Sequence, residues 1–241
     1  MLHKTRGIVL KVTDHGDSGV IVQILTEKFG LRSYIIKGVK KPKAKISRNM
    51  LQHLHLLDMV VYHKNTGGVE HIRELKNAPL LHHIPYDVTK SSIALFLNEV
   101  LYKAIKQQAD DEQLFEYIFN SIELLDNMTS GLANFHLIFL MGLTRYLGFY
   151  PDRTAISNAS YFDLQNGVFS RTRPESAFFL SPPHTAHFEQ LMNSSHDGTT
   201  NISISNDERR YLLSRLLEYY ALHIEGFGNI RSHEILEEVL G

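Results

Sequence analysis

Cysteine is absent from this chain of 241 residues. Its absence excludes disulfides, thiolate metal ligands and a thiol nucleophile. Long apolar runs are missing too: the first, Ile8–Val12, is interrupted by Lys11 and is too short for a signal peptide. No stretch approaches the ~18 apolar residues that a membrane span requires. We therefore expect a cytoplasmic protein with no membrane partner, whose 43% hydrophobic residues suffice for a folded core.

Acidic residues are scarce at one end of the chain. Residues 1–48 hold eleven lysines and arginines against three acids, whereas residues 49–241 hold fourteen against twenty-three. The nearly neutral total, a net charge of −1, thus conceals a strongly polarised molecule. This segregation predicts a surface for a polyanion at the basic end and an acidic remainder that cannot share that role.

The densest basic segment runs from Lys37 to Arg48 and contains no acid. It reads K-G-V-K-K-P-K-A-K-I-S-R, and its glycine and proline predict a loop, which we call the basic loop. Its six cations are Lys37, Lys40, Lys41, Lys43, Lys45 and Arg48. A solvated charged loop without a ligand is the alternative interpretation.

Short β-branched segments dominate the first 75 residues. The pattern predicts five strands, over Gly7–Thr13, Gly19–Thr26, Leu31–Lys37, Leu51–His63 and Val69–Leu75. Because the segments between them are too short for parallel crossovers, we expect a small antiparallel barrel. Its size and strand count are those of an OB-fold.

Apolar residues recur at helical spacing from about residue 87 onwards. The predicted helices cover Val88–Lys106, Leu114–Leu125, Leu132–Leu147, Pro183–Asn193, Asn206–Ile224 and Ser232–Leu240. Short connections between the first three indicate an antiparallel bundle. The chain is thus expected to be an α+β protein with a barrel domain over residues 1–78 and a helical domain over 79–241. An irregular hairpin insert is expected at about 152–182, where Asn166-Gly167 predicts a tight turn.

Motifs of known catalytic sites are missing. The sequence contains no phosphate-binding glycine loop, no dinucleotide fingerprint, no zinc-protease motif and no nucleophile elbow. Two of the fourteen histidines, His53 and His55, lie two apart on a predicted strand, but no acid or third histidine supports them at metal-ligand spacing. We expect half-buried strand histidines there, with no metal and no catalytic residue, and hence no enzyme.

Tyr34 lies in the strand that leads into the basic loop. Single-strand binding on an OB-fold surface combines a cationic groove with aromatic rings on which bases stack. Tyr34 could therefore be such a platform. A tyrosine of the barrel core is the equal alternative, since apolar Ile35 and Ile36 follow it.

Several stretches, in chain order, resemble the RecO family of bacterial recombination mediators. They are R-G-I-V-L-K-V at 6–12, H-G-D-S-G-V-I-V-Q-I-L-T-E-K-F-G-L at 15–31, the basic loop, L-M-G-L-T-R-Y-L-G-F-Y-P-D at 140–152, Y-F-D-L-Q-N-G-V at 161–168 and R-R-Y-L-L-S-R-L-L-E-Y-Y at 209–220. Together they span nearly the whole chain.

The resemblance implies a non-enzymatic protein of the RecF recombination pathway of DNA repair, acting at the bacterial nucleoid. Such proteins bind single- and double-stranded DNA without sequence specificity and anneal complementary strands. They act with RecR, engage the C-terminal tail of single-stranded-DNA-binding protein and help RecA to load on coated DNA. The DNA-binding residues expected here are the six cations of the basic loop, with Arg6, Lys11 and Arg32 if their strands place them outward, and Tyr34.

One departure from the family concerns zinc. Many relatives carry a four-cysteine zinc site on both sides of the Y-F-D hairpin. Here the flanks, at 154–159 and 170–174, contain neither cysteine nor histidine. We therefore expect no structural zinc and no other cofactor, with Tyr161, Phe162, Val168 and Phe169 packing the hairpin instead.

The tail of single-stranded-DNA-binding protein, acidic with an apolar end, requires an apolar groove with a cation at its edge. The predicted helix Leu132–Leu147 could supply the groove and Arg145 the cation, or Arg145 could simply be a solvated residue of a bundle helix. Two other functions stay open at this point. One is a generic OB-fold binder of single-stranded DNA or RNA, and the other is a non-catalytic adaptor whose basic loop serves only solubility.

Overall fold

The computed structural model describes residues 1–63, 68–106, 110–154, 160–194 and 202–241. Two compact units divide the chain, Met1–Asn127 and Met128–Gly241. The predicted division after residue 78 is different, because the first two helices form part of the first unit. Of the first flank of the Y-F-D hairpin, at 154–159, only residue 154 lies within the described residues.

The first unit contains a closed five-stranded barrel. Its strands are β1 (Leu2–His15), β2 (Gly19–Thr26), β3 (Gly30–Ile36), β4 (Leu56–Tyr62) and β5 (Val69–Asn77). They follow the order β1-β2-β3-β5-β4, and β4 closes the barrel on β1. Every pair is antiparallel except the short parallel contact of β3 with β5. The predicted OB-fold barrel followed by helices is confirmed.

Alternate residues of each strand fill the barrel. The inward side chains belong to one buried cluster that includes Val9, Val22, Ile24 and Met59. Gly7 lies on the same inward face, and a Cβ atom there would come within 2.5 Å of Met59 and 2.6 Å of Ile24. Glycine is thus required at this point because the interior has no room for a side chain.

The fourth strand is shorter than predicted. Of the expected span Leu51–His63, only Leu56–Tyr62 is a strand, and Arg48–Leu51 forms a 3-10 turn. His53 and His55 therefore lie before the strand rather than on its face. His55 Nδ1 lies 3.1 Å from the Asn77 side-chain amide, so this histidine takes part in a local hydrogen-bond network.

Part of the outer face of β1 is buried. Ile8 and Leu10 are at most 1% exposed, although neither belongs to the cluster inside the barrel. The helices α1 (Val88–Ala104) and α2 (Glu112–Asn127) supply contacts on this side. Asn98 of α1 donates to the carbonyl oxygen of Leu10 at 3.1 Å. That carbonyl lies in a β-bulge between Val9 and Lys11, so the helix satisfies a polar group that the interrupted ladder leaves unpaired.

Arg6 joins the barrel to α2. Its guanidinium donates to Glu27 at 3.0 and 3.2 Å and also bonds to Glu116 of α2. The same group lies over the rings of Phe119 and Phe115, 4.8 and 5.3 Å from their centroids. Hydrogen bonding to Glu27 raises the pKa of Arg6, and the bond from Arg6 lowers the pKa of Glu27. We call these five residues the Arg6 clamp.

Asp126, near the end of α2, holds the segment between barrel and helices. Its carboxylate accepts hydrogen bonds from the backbone N–H groups of His82, His83 and Ile84 at 2.7–2.8 Å. Burial alone would raise the pKa of Asp126, but these three bonds outweigh that effect and lower it. The buried ammonium of Lys90 donates to the Asp126 backbone carbonyl at 2.6 Å. The segment from the barrel is thereby fixed against both helices.

The second unit is mainly helical. It contains α3 (Phe135–Leu147), α4 (His184–Asn193), α5 (Asn206–His223) and α6 (Ser232–Leu240), with a sheet of β6 (Tyr161–Asp163), β7 (Val168–Ser170) and β8 (Phe179–Leu180) in the order β7-β6-β8. Gly148 caps α3 with φ +85° and donates its N–H to the Thr144 carbonyl. The strand β8 was not predicted, because two residues are too few to show an alternating pattern of apolar and polar side chains.

No helix among the described residues is long and apolar enough to cross a membrane.

The Arg6 clamp predicts that substitution of a single residue of β1, Arg6, lowers the stability of the protein strongly. Arg6→Ala should lower the free energy of unfolding by about 2 kcal/mol, because it removes a charge-assisted pair and a cation–π contact and leaves two carboxylates without their cation. Urea denaturation followed by circular dichroism measures this. The matched control is Lys76→Ala, which breaks a solvent-exposed pair with Asp58 and should cost less than about 0.5 kcal/mol. Equal losses for the two variants would contradict the clamp.

Candidate nucleic-acid interface

Two consecutive turns shape the basic loop. The N–H of Lys41 donates to the carbonyl of Gly38, and the N–H of Ala44 donates to the carbonyl of Lys41, both at 3.1 Å. Pro42 at the second position of the latter turn, followed by Lys43 with φ +70°, is the arrangement of a type II turn. The backbone hydrogen bonds thus stay within the loop, and its side chains are left to the solvent.

All six predicted cations of the basic loop are exposed. Two of them meet an acid near the end of β1: Arg48 lies 2.5 Å and Lys40 3.4 Å from the same Asp14 oxygen. Hydrogen bonding from Arg48, with a further contribution from Lys40, lowers the pKa of Asp14. Asp14 therefore holds both ends of the loop against the barrel and neutralises part of its charge.

The other four cations of the loop have no ion-pair partner within the described part of the chain. They are Lys37, Lys41, Lys43 and Lys45. Lys37 and Lys45 also line a hollow of about 260 Å³ between the ends of β3 and β5. Four exposed, unneutralised ammonium groups on one short loop form a surface suited to phosphates.

Tyr34 is not a stacking platform, and that prediction was wrong. Its side chain is 0% exposed and belongs to the cluster inside the barrel, where burial raises its pKa. The alternation of β3 places Tyr34 and Ile36 inward, and Arg32 on the same face is half-buried. Arg32 therefore does not extend the exposed basic surface either.

The two predicted cations of β1 have internal partners. Arg6 is held in the Arg6 clamp and is not available to phosphates. Lys11 is exposed, but its ammonium donates to the Tyr102 hydroxyl of α1 at 2.7 Å and lies 4.5 Å from the centre of that ring. Arg6 and Lys11 therefore contact residues of α1 and α2, which cover this part of the outer face of β1.

Three further cations, which the charge pattern did not single out, lie near Lys45. Lys4, Lys28 and Lys76 line one groove together with Lys45, on the outer face of β1, β4 and β5. They are isolated in the sequence and fall in no charge cluster. The register of the barrel brings them together, and no local signal in the sequence could have indicated this.

Arg145 lies on the last turn of α3 in the second unit. Its guanidinium lies 4.4 Å from the centre of the Tyr150 ring and donates to the Tyr150 hydroxyl at 2.9 Å. It also lies 3.5 Å from the carbonyl oxygen of Met192. The residue is exposed, so one side of the planar cation can still meet an acidic group.

Aromatic side chains pack the Y-F-D hairpin, and the chain contains no cysteine. The ring centre of Phe162 lies 4.8 Å from that of Phe169, 4.5 Å from that of Phe188 and 5.7 Å from that of Tyr219. Elsewhere in the described residues, Glu27, Glu112 and Glu116 are close enough to share a cation. Two of these carboxylates already bond Arg6, which fills the role of the cation.

Comparison with known proteins gives consistent matches. Residues 1–78 match the family model described as Recombination protein O N terminal, and residues 85–232 match Recombination protein O C terminal. Proteins named DNA repair protein RecO are similar over nearly their full length. That of Azobacteroides pseudotrichonymphae is 36% identical over 239 residues, covering 99% of each chain, and that of Bacteroides fragilis is 35% identical over 240 residues, also covering 99% of each. The Flavobacterium psychrophilum protein is 36% identical over 241 residues, covering 98% of each.

The pairing of Asp14 with the basic loop predicts a gain of binding. Asp14→Asn should raise the affinity for a single-stranded oligonucleotide about threefold at low salt, because Lys40 and Arg48 lose their competing anion. Fluorescence anisotropy with a labelled oligonucleotide measures the change. Asp17→Asn is the matched control, since Asp17 is an exposed acid of the adjoining β1–β2 turn without an ion pair in the described structure. A gain as large for Asp17→Asn would show a general charge effect and contradict the role of Asp14.

Proposed function

The chain belongs to the RecO family of DNA repair proteins, and we propose that it binds single- and double-stranded DNA through the basic loop without sequence specificity. The observation that carries this proposal is the set of four exposed lysines on one barrel loop, none of them neutralised by a described acid. Lysine side chains meet phosphates as flexible point charges and read no base edges. Binding of this kind depends on charge and not on sequence.

We further propose that the protein anneals complementary strands. A cationic surface lowers the repulsion between two phosphate backbones, and the absence of base readout leaves the base edges free to pair. The burial of Tyr34 supports this, because bases stacked on a protein ring would have to be released before pairing.

In the cell we propose a place in the RecF pathway. The protein would act with RecR, engage the C-terminal tail of single-stranded-DNA-binding protein and assist RecA in replacing it on DNA. It would do so as a mediator without catalytic activity, at the bacterial nucleoid. A generic OB-fold binder is less well supported, because such a protein does not require the second unit, Met128–Gly241.

We propose that no zinc or other cofactor takes part. Support comes from the lack of cysteine and from the aromatic packing that holds the Y-F-D hairpin. Metal analysis that found one zinc ion per purified chain would contradict this.

The basic loop predicts the salt dependence of binding. With four to six phosphates neutralised, the affinity for single strands should fall with a log–log salt slope of roughly −3 to −4. Replacement of Lys40, Lys41, Lys43 and Lys45 by alanine should abolish most binding and flatten this slope. Anisotropy titrations between low and moderate salt measure both quantities. A loss of less than about twofold at low salt would show that the loop is not the site.

Two controls accompany this variant. All four lysines are exposed, so the urea midpoint should equal that of the wild type and a loss of binding should not reflect unfolding. A variant that removes the same charge from the second unit should keep most of the affinity. It replaces four exposed arginines by alanine: Arg153, Arg171, Arg173 and Arg210.

Arg145 is proposed to receive the acidic tail of single-stranded-DNA-binding protein. Arg145→Ala should weaken binding of a peptide with the sequence of that tail about fivefold or more, because a charge-assisted bond to a carboxylate is lost. Arg153→Ala is the control, since Arg153 is an exposed arginine of the same unit that bonds only the Asn193 amide in the described structure. Unchanged peptide affinity of Arg145→Ala would remove Arg145 from the site.

A further inference from the structure

A groove of about 590 Å³ crosses the outer face of β1, β4 and β5. Its floor is formed by cross-strand neighbours, because Lys4 pairs with Val60 and Val60 with Glu74 in the barrel register. The β2–β3 turn with Lys28 and the basic loop with Lys45 also line the groove. We call this groove the lysine trough.

The acids of the trough are already neutralised. Glu27 is held by Arg6 in the Arg6 clamp. Asp58 bonds Lys76 at 3.1 Å, and Glu74 lies 3.8 Å from Arg73. Each of the three carboxylates thus has an arginine or lysine partner, which weakens its competition for the remaining cations of the groove.

Three lysines of the trough have no such partner in the described structure. Lys4, Lys28 and Lys45 are exposed and lie on different elements, β1, the β2–β3 turn and the basic loop. All three residues line the same groove. Ammonium groups that line one groove repel each other when no anion is present. Binding of an anion in the groove would relieve this repulsion.

Lys45 belongs both to the basic loop and to the trough. We propose that the lysine trough is a second phosphate track, into which a nucleic-acid strand held by the basic loop continues past Lys45. The inference rests on the proposed DNA binding and extends it from the loop to the face of the barrel. An extended polyanion fits because its successive phosphates can meet cations of separate elements, whereas an isolated phosphate would meet only one or two of them.

The residues that line the trough also determine how a nucleic-acid strand would contact it. No aromatic side chain lines it among the described residues. Bases therefore cannot stack on protein rings here, and the strand would be held by its phosphates alone. The track serves annealing in the same way as the basic loop, because it leaves the bases accessible.

The test compares short and long single strands. The variant Lys4→Ala/Lys28→Ala removes two trough cations and keeps every cation of the basic loop. An oligothymidylate of about 6 nucleotides should occupy the loop alone, whereas one of about 20 should fill both sites. We expect the variant to bind the long strand about tenfold more weakly at moderate salt, with its log–log salt slope reduced by about 1.4. Binding of the short strand should change less than about twofold.

Two controls isolate the charge at this place. Lys4→Arg/Lys28→Arg keeps both cations and should bind both strands like the wild type. Arg171→Ala/Arg173→Ala removes two exposed cations from the second unit and should leave the salt slope unchanged. Because both lysines are exposed, unfolding of the alanine variant is not expected, and its urea midpoint verifies this.

Three outcomes would overturn the inference. If the alanine variant bound the long strand with an unchanged slope, the trough would not hold phosphates. If it lost affinity for both strands equally, the two lysines would belong to the loop site and no second track would exist. If it lost affinity only for an oligo-aspartate peptide, the occupant would be a protein segment.

Failure of the wild type to bind either strand would contradict the proposed function itself, and the inference with it.

Discussion

The Arg6 clamp determines which cations of the barrel are structural and which are free to bind. Arg6 lies between Glu27 of the β2–β3 turn and Glu116 of α2, with its guanidinium on two phenylalanine rings. This contact holds α2 on the outer face of β1, where Ile8 and Leu10 are buried. The helices thereby cover one side of the barrel, whereas the lysines of the basic loop and of the lysine trough stay exposed.

Neutralisation of Glu27 by Arg6 also affects the trough directly. Glu27 lines the trough beside Lys28, and without its arginine it would be the nearest anion to that lysine. A single ion pair thus contributes both to the packing of a helix and to the positive character of a neighbouring groove. The basic loop has a comparable internal anion in Asp14, which orders the loop but leaves four of its lysines unpaired. In both places acids position the basic surface without cancelling it.

The sequence predicted the barrel and the exposed loop well because both depend on local signals. Period-two patterns define β2 and β3, and Gly38 with Pro42 requires turns that expose the lysines around them. Arg6 was misjudged because a single strand does not reveal that helices cover its outer face. Tyr34 was wrongly included among the DNA-binding residues, because the alternation of side chains along a strand defines two faces without showing which face is buried. The lysine trough could not be predicted at all, since Lys4, Lys28 and Lys45 meet only through the closed register.

Annealing of two complementary oligonucleotides coated with single-stranded-DNA-binding protein tests the central claim most directly. The rate is measured by fluorescence with and without this protein across a salt series. If the exposed lysines of the barrel bring strands together, the protein should accelerate annealing of the coated strands, and the acceleration should fade as salt rises. Tight binding to naked strands without any acceleration on coated ones would contradict the account and indicate a plain OB-fold binder.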